Sequence, residues 1–257
     1  MIMSYMNIQH MSISNLALFG VPRSGTSWLG QIFNSSPNTL YRYQPLFSYE
    51  FKDYLNSSST KMDIDKFHKE LIDSKSEFVN TNLTFPKENT THLIWKEVRY
   101  HNIANNLLNN SDIKIIYIKR NPIDVINSWY NAPKEFNKDW DIESEWRYAK
   151  LKNLDRVEEF NGFDKWLEAN KLHELNKTMY PNRVFFVDYN ELKFNTLDVV
   201  RNIFNFAGLN MSQQTIDFIK ESKSVHIDDT YGVYKTHNTN NNLPKVIIDK
   251  INELWRG

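Results

Sequence analysis

Leu16-Ala17-Leu18-Phe19-Gly20-Val21-Pro22-Arg23-Ser24-Gly25-Thr26-Ser27-Trp28-Leu29 changes character halfway along. An apolar run ends at Gly20, a loop holding Pro22 and Gly25 follows, and from Thr26 the residues Trp28, Leu29, Ile32 and Phe33 recur at helical spacing. The stretch reads as strand, loop, helix. In that setting successive backbone N–H groups and the positive end of the helix dipole form a cradle for an anion. The phosphate-loop pattern G-x-x-x-x-G-K-[ST] has a lysine after its second glycine, where this chain has Thr26. A plain ATPase or GTPase is therefore disfavoured, and the cation available to the cradle is Arg23, inside the loop. An ordinary βα turn is the plain alternative.

Outward from this loop the same alternation continues. Residues 38–43, 92–95, 113–118 and 183–187 read as strands, and 113–118 is apolar on nearly every position, as expected at the centre of a parallel sheet. Helical periodicity predicts helices over 63–79, 102–108, 143–160, 162–179, 195–206 and 212–221, another opening at Pro122, and a last apolar pattern from Val246 to Trp255. The fold class is α/β, a three-layer fold like that of P-loop NTPases, with a central parallel sheet flanked by helices. Residues 14–257 read as a single domain preceded by a flexible leader, 1–13, with translation possible from Met11.

Composition removes several classes. The 257 residues carry Lys+Arg 31 against Asp+Glu 31 and no cysteine, so disulfide scaffolds and thiolate metal sites are excluded. A net charge of zero offers no global steering to nucleic acid, so any anion site is local. No apolar run approaches the roughly 18 residues of a membrane span. The first fifteen residues lack the basic and apolar regions of a signal peptide, which points to the cytoplasm. The histidines show no ligand spacing, and no metal is expected.

Pro22 to Leu29 resembles the 5′-phosphosulfate loop of sulfotransferases that use 3′-phosphoadenosine 5′-phosphosulfate (PAPS). A second element, Ile118 to Tyr130, is similar to their 3′-phosphate element, in which an arginine and a serine eight positions later bind the phosphate; here these are Arg120 and Ser128. The placement makes physical sense, because Arg120 follows a strand and Ser128 lies two turns into the next helix. The resemblance covers about 14–236 and is closest to the branch that sulfates carbohydrates, through Phe33 to Pro37 and Tyr43-Gln44-Pro45-Leu46. Many members have a glutamate base at the position of Gln44, whose amide cannot take a proton.

The resemblance implies a sulfuryl transfer from PAPS to a hydroxyl of a sugar or glycan precursor, with 3′,5′-adenosine bisphosphate (PAP) as product. Arg23, Ser24, Gly25, Thr26 and Ser27 would hold the phosphosulfate, Trp28 would stack on adenine, and Arg120, Ser128, Tyr189 and Lys235 would complete the cofactor site. Lys96 would stabilise transition-state charge beside Arg23. Glu97 is the first candidate for the proton acceptor, provided the strand has ended or is bulged, because strand neighbours point to opposite faces. Pairing with Arg99 or Arg120 is its structural alternative, and Glu50 and His101 are reserves. Gln44 and Arg99 would contact the acceptor. Two other classes compete: a P-loop kinase or hydrolase, for which Asp188 alone is placed to hold Mg²⁺, and a catalytically impaired PAPS-binding interaction protein.

Overall fold

Five strands carry the fold in the computed structural model, which describes residues 13–80, 84–224 and 241–256. The chain runs β1 (Ser14–Phe19), α1 (Thr26–Ser35) and β2 (Thr39–Tyr43), then a single 3₁₀ turn at Pro45–Phe47. Next come α2 (Lys61–Asp73), α3 (Glu77–Asn80), β3 (His92–Glu97), α4 (Ala104–Asn110), β4 (Lys114–Lys119) and α5 (Pro122–Tyr130). Then follow α6 (Ile142–Glu145), α7 (Lys150–Asn153), α8 (Phe163–Met179), β5 (Val184–Asp188), α9 (Tyr189–Phe194), α10 (Thr196–Ala207), α11 (Gln213–Ser224) and α12 (Lys245–Arg256).

The strands form one parallel sheet in the order β2-β3-β1-β4-β5. Strand alternation divides the core into two layers. Leu16, Leu18, Ile94, Ile116 and Ile118 pack under α1, α9, α10 and α11. Ala17, Phe19, Trp95, Ile115 and Tyr117 face the opposite layer of α2, α4, α5, α8 and α12. This is the three-layer P-loop NTPase-like architecture expected from the alternation. The register aligns Phe19 with Glu97, Tyr43 with Lys96 and Lys119 with Asp188, so the strands end along one common edge. The motifs at Gly20 to Ser27, Tyr43 to Leu46, Lys96 to Arg99, Arg120 to Ser128 and Asp188-Tyr189 lie at or just after those ends, whereas Phe33 to Pro37 closes α1 at the opposite edge.

Two helices differ from expectation. The helix read over 63–79 stops at Asp73, and α3 is separate. The buried guanidinium of Arg42 explains the stop, since Nε and Nη2 donate to Leu71 O and Ile72 O at 2.8 and 2.7 Å and so cap last-turn carbonyls. At the other end Thr60 and Asp63 form a reciprocal capping box. Residues 143–160 are not one helix. Ala149, Leu154 and Asp155 have positive φ of 47°, 51° and 55°, which leaves only the short turns α6 and α7.

Candidate active site

The loop between β1 and α1 is shaped by close approach. A Cβ on Gly20 would lie 2.6 Å from Ile118 Cγ2, so only glycine lets the loop leave β1 so near β4. Gly25 has φ 91°, and a Cβ there would lie 2.4 Å from the Tyr189 ring. Arg23 also lies in the left-handed region, at φ 71°. Gly25 brings no side-chain cap to α1, which leaves its first amides open to an anion. Ser24 is fully buried, and its hydroxyl finds no partner among the described residues.

The second motif meets the first directly. Arg23 Nε donates to Ser128 Oγ at 3.1 Å, and Arg120 Nη1 donates to Arg23 O at 2.9 Å. The Arg120 guanidinium lies 4.5 Å from the centre of the Tyr189 ring, and its buried Nε has no hydrogen-bond partner among the described residues, Asp124 Oδ2 standing 4.0 Å away. Trp166 fixes this corner by donating from Nε1 to Arg120 O at 3.0 Å. Trp28 is half-buried, with its indole N–H on Ser222 Oγ at 3.1 Å in α11. The structure thus brings together Arg23, Ser24, Gly25, Arg120, Ser128 and Tyr189. Lys235 lies outside the described residues. The orphaned Ser24 hydroxyl and Arg120 Nε, beside open helix amides, are the donor set that a phosphorylated nucleotide requires, so the residues present fit such a group.

On the other side of β1, Lys96 Nζ reaches Ser27 Oγ at 3.3 Å and stands 4.2 Å from the centre of the Tyr43 ring. Burial pushes the Lys96 ammonium below its ordinary pKa, against the pull of Tyr43 and Glu97. Glu97 is the last residue of β3, and the strand is unbulged, so Lys96 and Glu97 leave by opposite faces. Glu97 Oε1 accepts from Leu46 N at 2.8 Å, while Oε2 has no partner among the described residues. Burial raises this carboxyl to about 8, with the Leu46 N–H, Lys96 and Arg99 opposing.

The expected structural partners of Glu97 are engaged elsewhere. Arg99 donates from Nε to Glu159 at 2.9 Å and from Nη1 to Gln44 Oε1 at 3.2 Å, and its guanidinium lies 3.8 Å from the centre of the Phe47 ring. Arg120 approaches Asp124 at 4.0 Å. Gln44, at φ 41°, makes the sharp turn from β2 into Pro45–Phe47. The reserve bases fall away on geometry. Glu50 accepts from Ser74 Oγ at 2.6 Å, and His101 is fully buried against His173 at 3.0 Å, with burial pushing it down to about 3. Asp188, the residue a metal-dependent kinase would need, accepts from Asn190 N and Glu191 N as the N-cap of α9.

Sequence reading missed Glu135, which pairs with Arg23 at 3.2 Å, and Glu159, which joins Arg99 to Arg156. Neither sits in a motif. Tyr43 had a usable signal, its place two residues beyond the inward Tyr41 on the same face of β2.

The sulfotransferase domain profile matches residues 14–242. Among solved structures the chain is similar to mouse sulfotransferase SULT7A1 complexed with PAP, with 16% identity, TM-score 0.57, and coverage of 94% of this chain and 83% of that one. A sulfotransferase from Alicyclobacillus acidocaldarius gives 14%, 0.51, 82% and 91% in the same order. Retinol dehydratase in complex with androsterone and inactive cofactor PAP gives 15%, 0.50, 97% and 82%. No protein of curated function matches the sequence. Among the described residues no helix is long and apolar enough to cross a membrane.

Proposed function

The chain belongs to the sulfotransferase domain family, and from that premise we propose that it sulfates a carbohydrate hydroxyl using PAPS. When bound, PAPS supplies the sulfuryl group, whose bond to the 5′-phosphate breaks as the acceptor oxygen bonds to sulfur. Arg23 and the first amides of α1 hold the phosphosulfate end, and Arg120 with Ser128 holds the 3′-phosphate. Tyr189 stacks under Arg120 and fixes its plane. Trp28 offers its ring face to adenine.

Lys96 stabilises negative charge as it develops on the transferring group, a task for which a desolvated ammonium is well suited. Glu97 does not meet the condition set for the proton acceptor, because β3 runs unbulged to it and turns its fully buried carboxyl to the face opposite Lys96; its Oε1 instead holds Leu46 N and anchors the Pro45–Phe47 turn. Gln44 and Arg99 position the acceptor.

The observation that carries the carbohydrate reading is the Gln44–Arg99 pair, with the Phe47 ring centre 3.8 Å from the Arg99 guanidinium and the Tyr43 ring beside Lys96. An amide and a guanidinium match vicinal hydroxyls, and flat rings suit the apolar faces of pyranoses. The test is an acceptor screen with PAPS, without added Mg²⁺, comparing p-nitrophenyl glycosides with p-nitrophenol and a steroid alcohol. Sulfated glycoside and PAP should appear together. Faster turnover of phenol or steroid would overturn the carbohydrate assignment and leave the family intact.

A further inference from the structure

With Glu97 turned to the opposite face, Gln44 an amide and His101 sealed against His173, no residue of the motifs is left to take the acceptor proton. Other carboxylates around the cleft are committed. Glu159, nearly fully buried, joins Arg99 to Arg156, Glu50 accepts from Ser74 Oγ, and Asp188 caps α9. Among the described residues Glu135 is the one carboxylate within 4 Å of a cation of the 20–27 loop.

Glu135 Oε1 accepts from Arg23 Nη1 at 3.2 Å, while Arg23 Nε donates to Ser128 Oγ at 3.1 Å. Among the described residues nothing donates to Glu135 Oε2, and the side chain is 27% exposed, so the second oxygen is open to a molecule in the cleft. Lys96 meets the same loop from the acceptor side, through Ser27 Oγ at 3.3 Å. Glu135 is near enough to join Tyr43 and Glu97 in opposing the lowering that burial imposes on the Lys96 ammonium. Packing fixes its aim. Beyond the end of α5, Ala132 N donates to Trp129 O at 3.0 Å, and Glu135 N and Phe136 N both donate to Ala132 O at 2.8 Å. Phe136 is buried, with its ring centre 5.0, 5.2 and 5.5 Å from those of Trp129, Tyr130 and Trp140. A carboxylate held by such a neighbour and by Arg23 is positioned before any acceptor arrives.

We infer that Glu135, held on the guanidinium of Arg23, takes the proton of the acceptor hydroxyl. The acceptor oxygen bonds to sulfur as its proton passes to Glu135 Oε2, and the electron pair of the broken sulfur–oxygen bond leaves on the 5′-phosphate of PAP. A guanidinium carries five N–H donors, so Arg23 can hold the carboxylate and the phosphosulfate together and set the base beside the group being transferred. The inference rests on the sulfotransferase reading of this site. It does not need the acceptor to be a sugar, because any alcohol must lose its proton.

The test uses the full-length protein and two kinds of acceptor: an alcohol, either a glycoside or a steroid alcohol, and p-nitrophenol, which arrives largely ionised at mildly alkaline pH and needs no base. Glu135→Gln should lower the turnover number about 10²–10⁴-fold on the alcohol and far less on the phenol. Formate added to Glu135→Ala should restore part of the alcohol rate. Calorimetry gives a readout independent of turnover: with a negative charge removed beside Arg23, Glu135→Gln should bind PAP as tightly as the wild type or more tightly. Equal losses on alcohol and phenol, an unchanged alcohol rate, or PAP affinity weakened about tenfold or more would overturn the base and leave Glu135 a positioning residue for Arg23. Sulfation of the phenol alone by the wild type would overturn it too, since no base would then be at work. Failure of the wild type to bind PAP or to sulfate any of these acceptors is a separate result, which strikes the sulfotransferase reading itself.

Discussion

Arg23 Nε and Ser128 Oγ lie 3.1 Å apart although 105 positions separate them in the chain. The loop after β1 and the helix after β4 therefore meet at one corner, where the hydroxyl of one motif orients the cation of the other, as the proposed PAPS site requires. Arg120→Ala should weaken PAP binding about 10–100-fold, the size of lost charge-assisted hydrogen bonds, with a smaller loss for Ser128→Ala. Because Ser128 also orients Arg23, the double variant Arg23→Ala/Ser128→Ala should lose less than the sum of the singles. Titration calorimetry in a double-mutant cycle reads this directly, and strict additivity would count against a shared site.

Glu97→Gln keeps an oxygen for Leu46 N, so the turnover number and PAP affinity should both hold within a few-fold. A fall of about 10²–10⁴-fold in turnover number alone would restore Glu97 as the proton acceptor.

The same group sets a stability trend. An unfolded glutamate ionises near about 4.3, whereas this one is held to about 8 in the fold. Between those values the native state keeps a proton that the unfolded chain has released, so its contribution is present at low pH and is lost as pH rises to about 8. Glu97→Gln has no such dependence. Urea unfolding at pH 5.5 and 8.5 should show the variant gaining on the wild type at the higher pH.

Lys96→Met should lower the turnover number about 10²–10³-fold, the cost of removing a donor aimed at transition-state charge. PAP affinity should change far less, since Arg23 and Arg120 remain. A loss confined to PAP affinity would place Lys96 in ground-state binding instead.

Two substitutions separate fold from site. Gly25→Ala meets both a φ of 91° and the Tyr189 ring at 2.4 Å, so it should destabilise by about 1–3 kcal/mol and also weaken PAP binding. Arg42→Met leaves the carbonyls of Leu71 and Ile72 uncapped and should cost about 2–4 kcal/mol in urea unfolding, with PAP affinity unaffected.

The parts legible in sequence are those fixed by short-range pattern. An apolar strand feeding a Gly-containing loop and a helix located Arg23 to Ser27, and the same logic located Arg120 and Ser128. Local periodicity is blind to events across space. The break at 149–155 depends on Ala149, Leu154 and Asp155 taking a left-handed backbone, for which neither alanine nor leucine gives a cue. Arg42 ends α2 from a strand some thirty positions away, and the Arg99–Glu159 pair spans sixty. Glu97 shows both limits: alternation correctly put it on the face opposite Lys96, but its bond to Leu46 N became visible only in three dimensions.

The strand order has a practical consequence. Arg23, Arg120, Ser128 and Tyr189 gather around β1, β4 and β5, whereas Gln44, Lys96, Glu97 and Arg99 gather at the ends of β2 and β3, with β1 as the shared wall. On the proposed reading, recognition of the donor and choice of the recipient are thereby written in separable blocks of chain. Transplanting residues 39–80 and 92–103 from another member of the family is the natural way to retarget the enzyme, because such a graft exchanges the half of the cleft that holds Gln44, Lys96, Glu97 and Arg99 and leaves the nucleotide half in place.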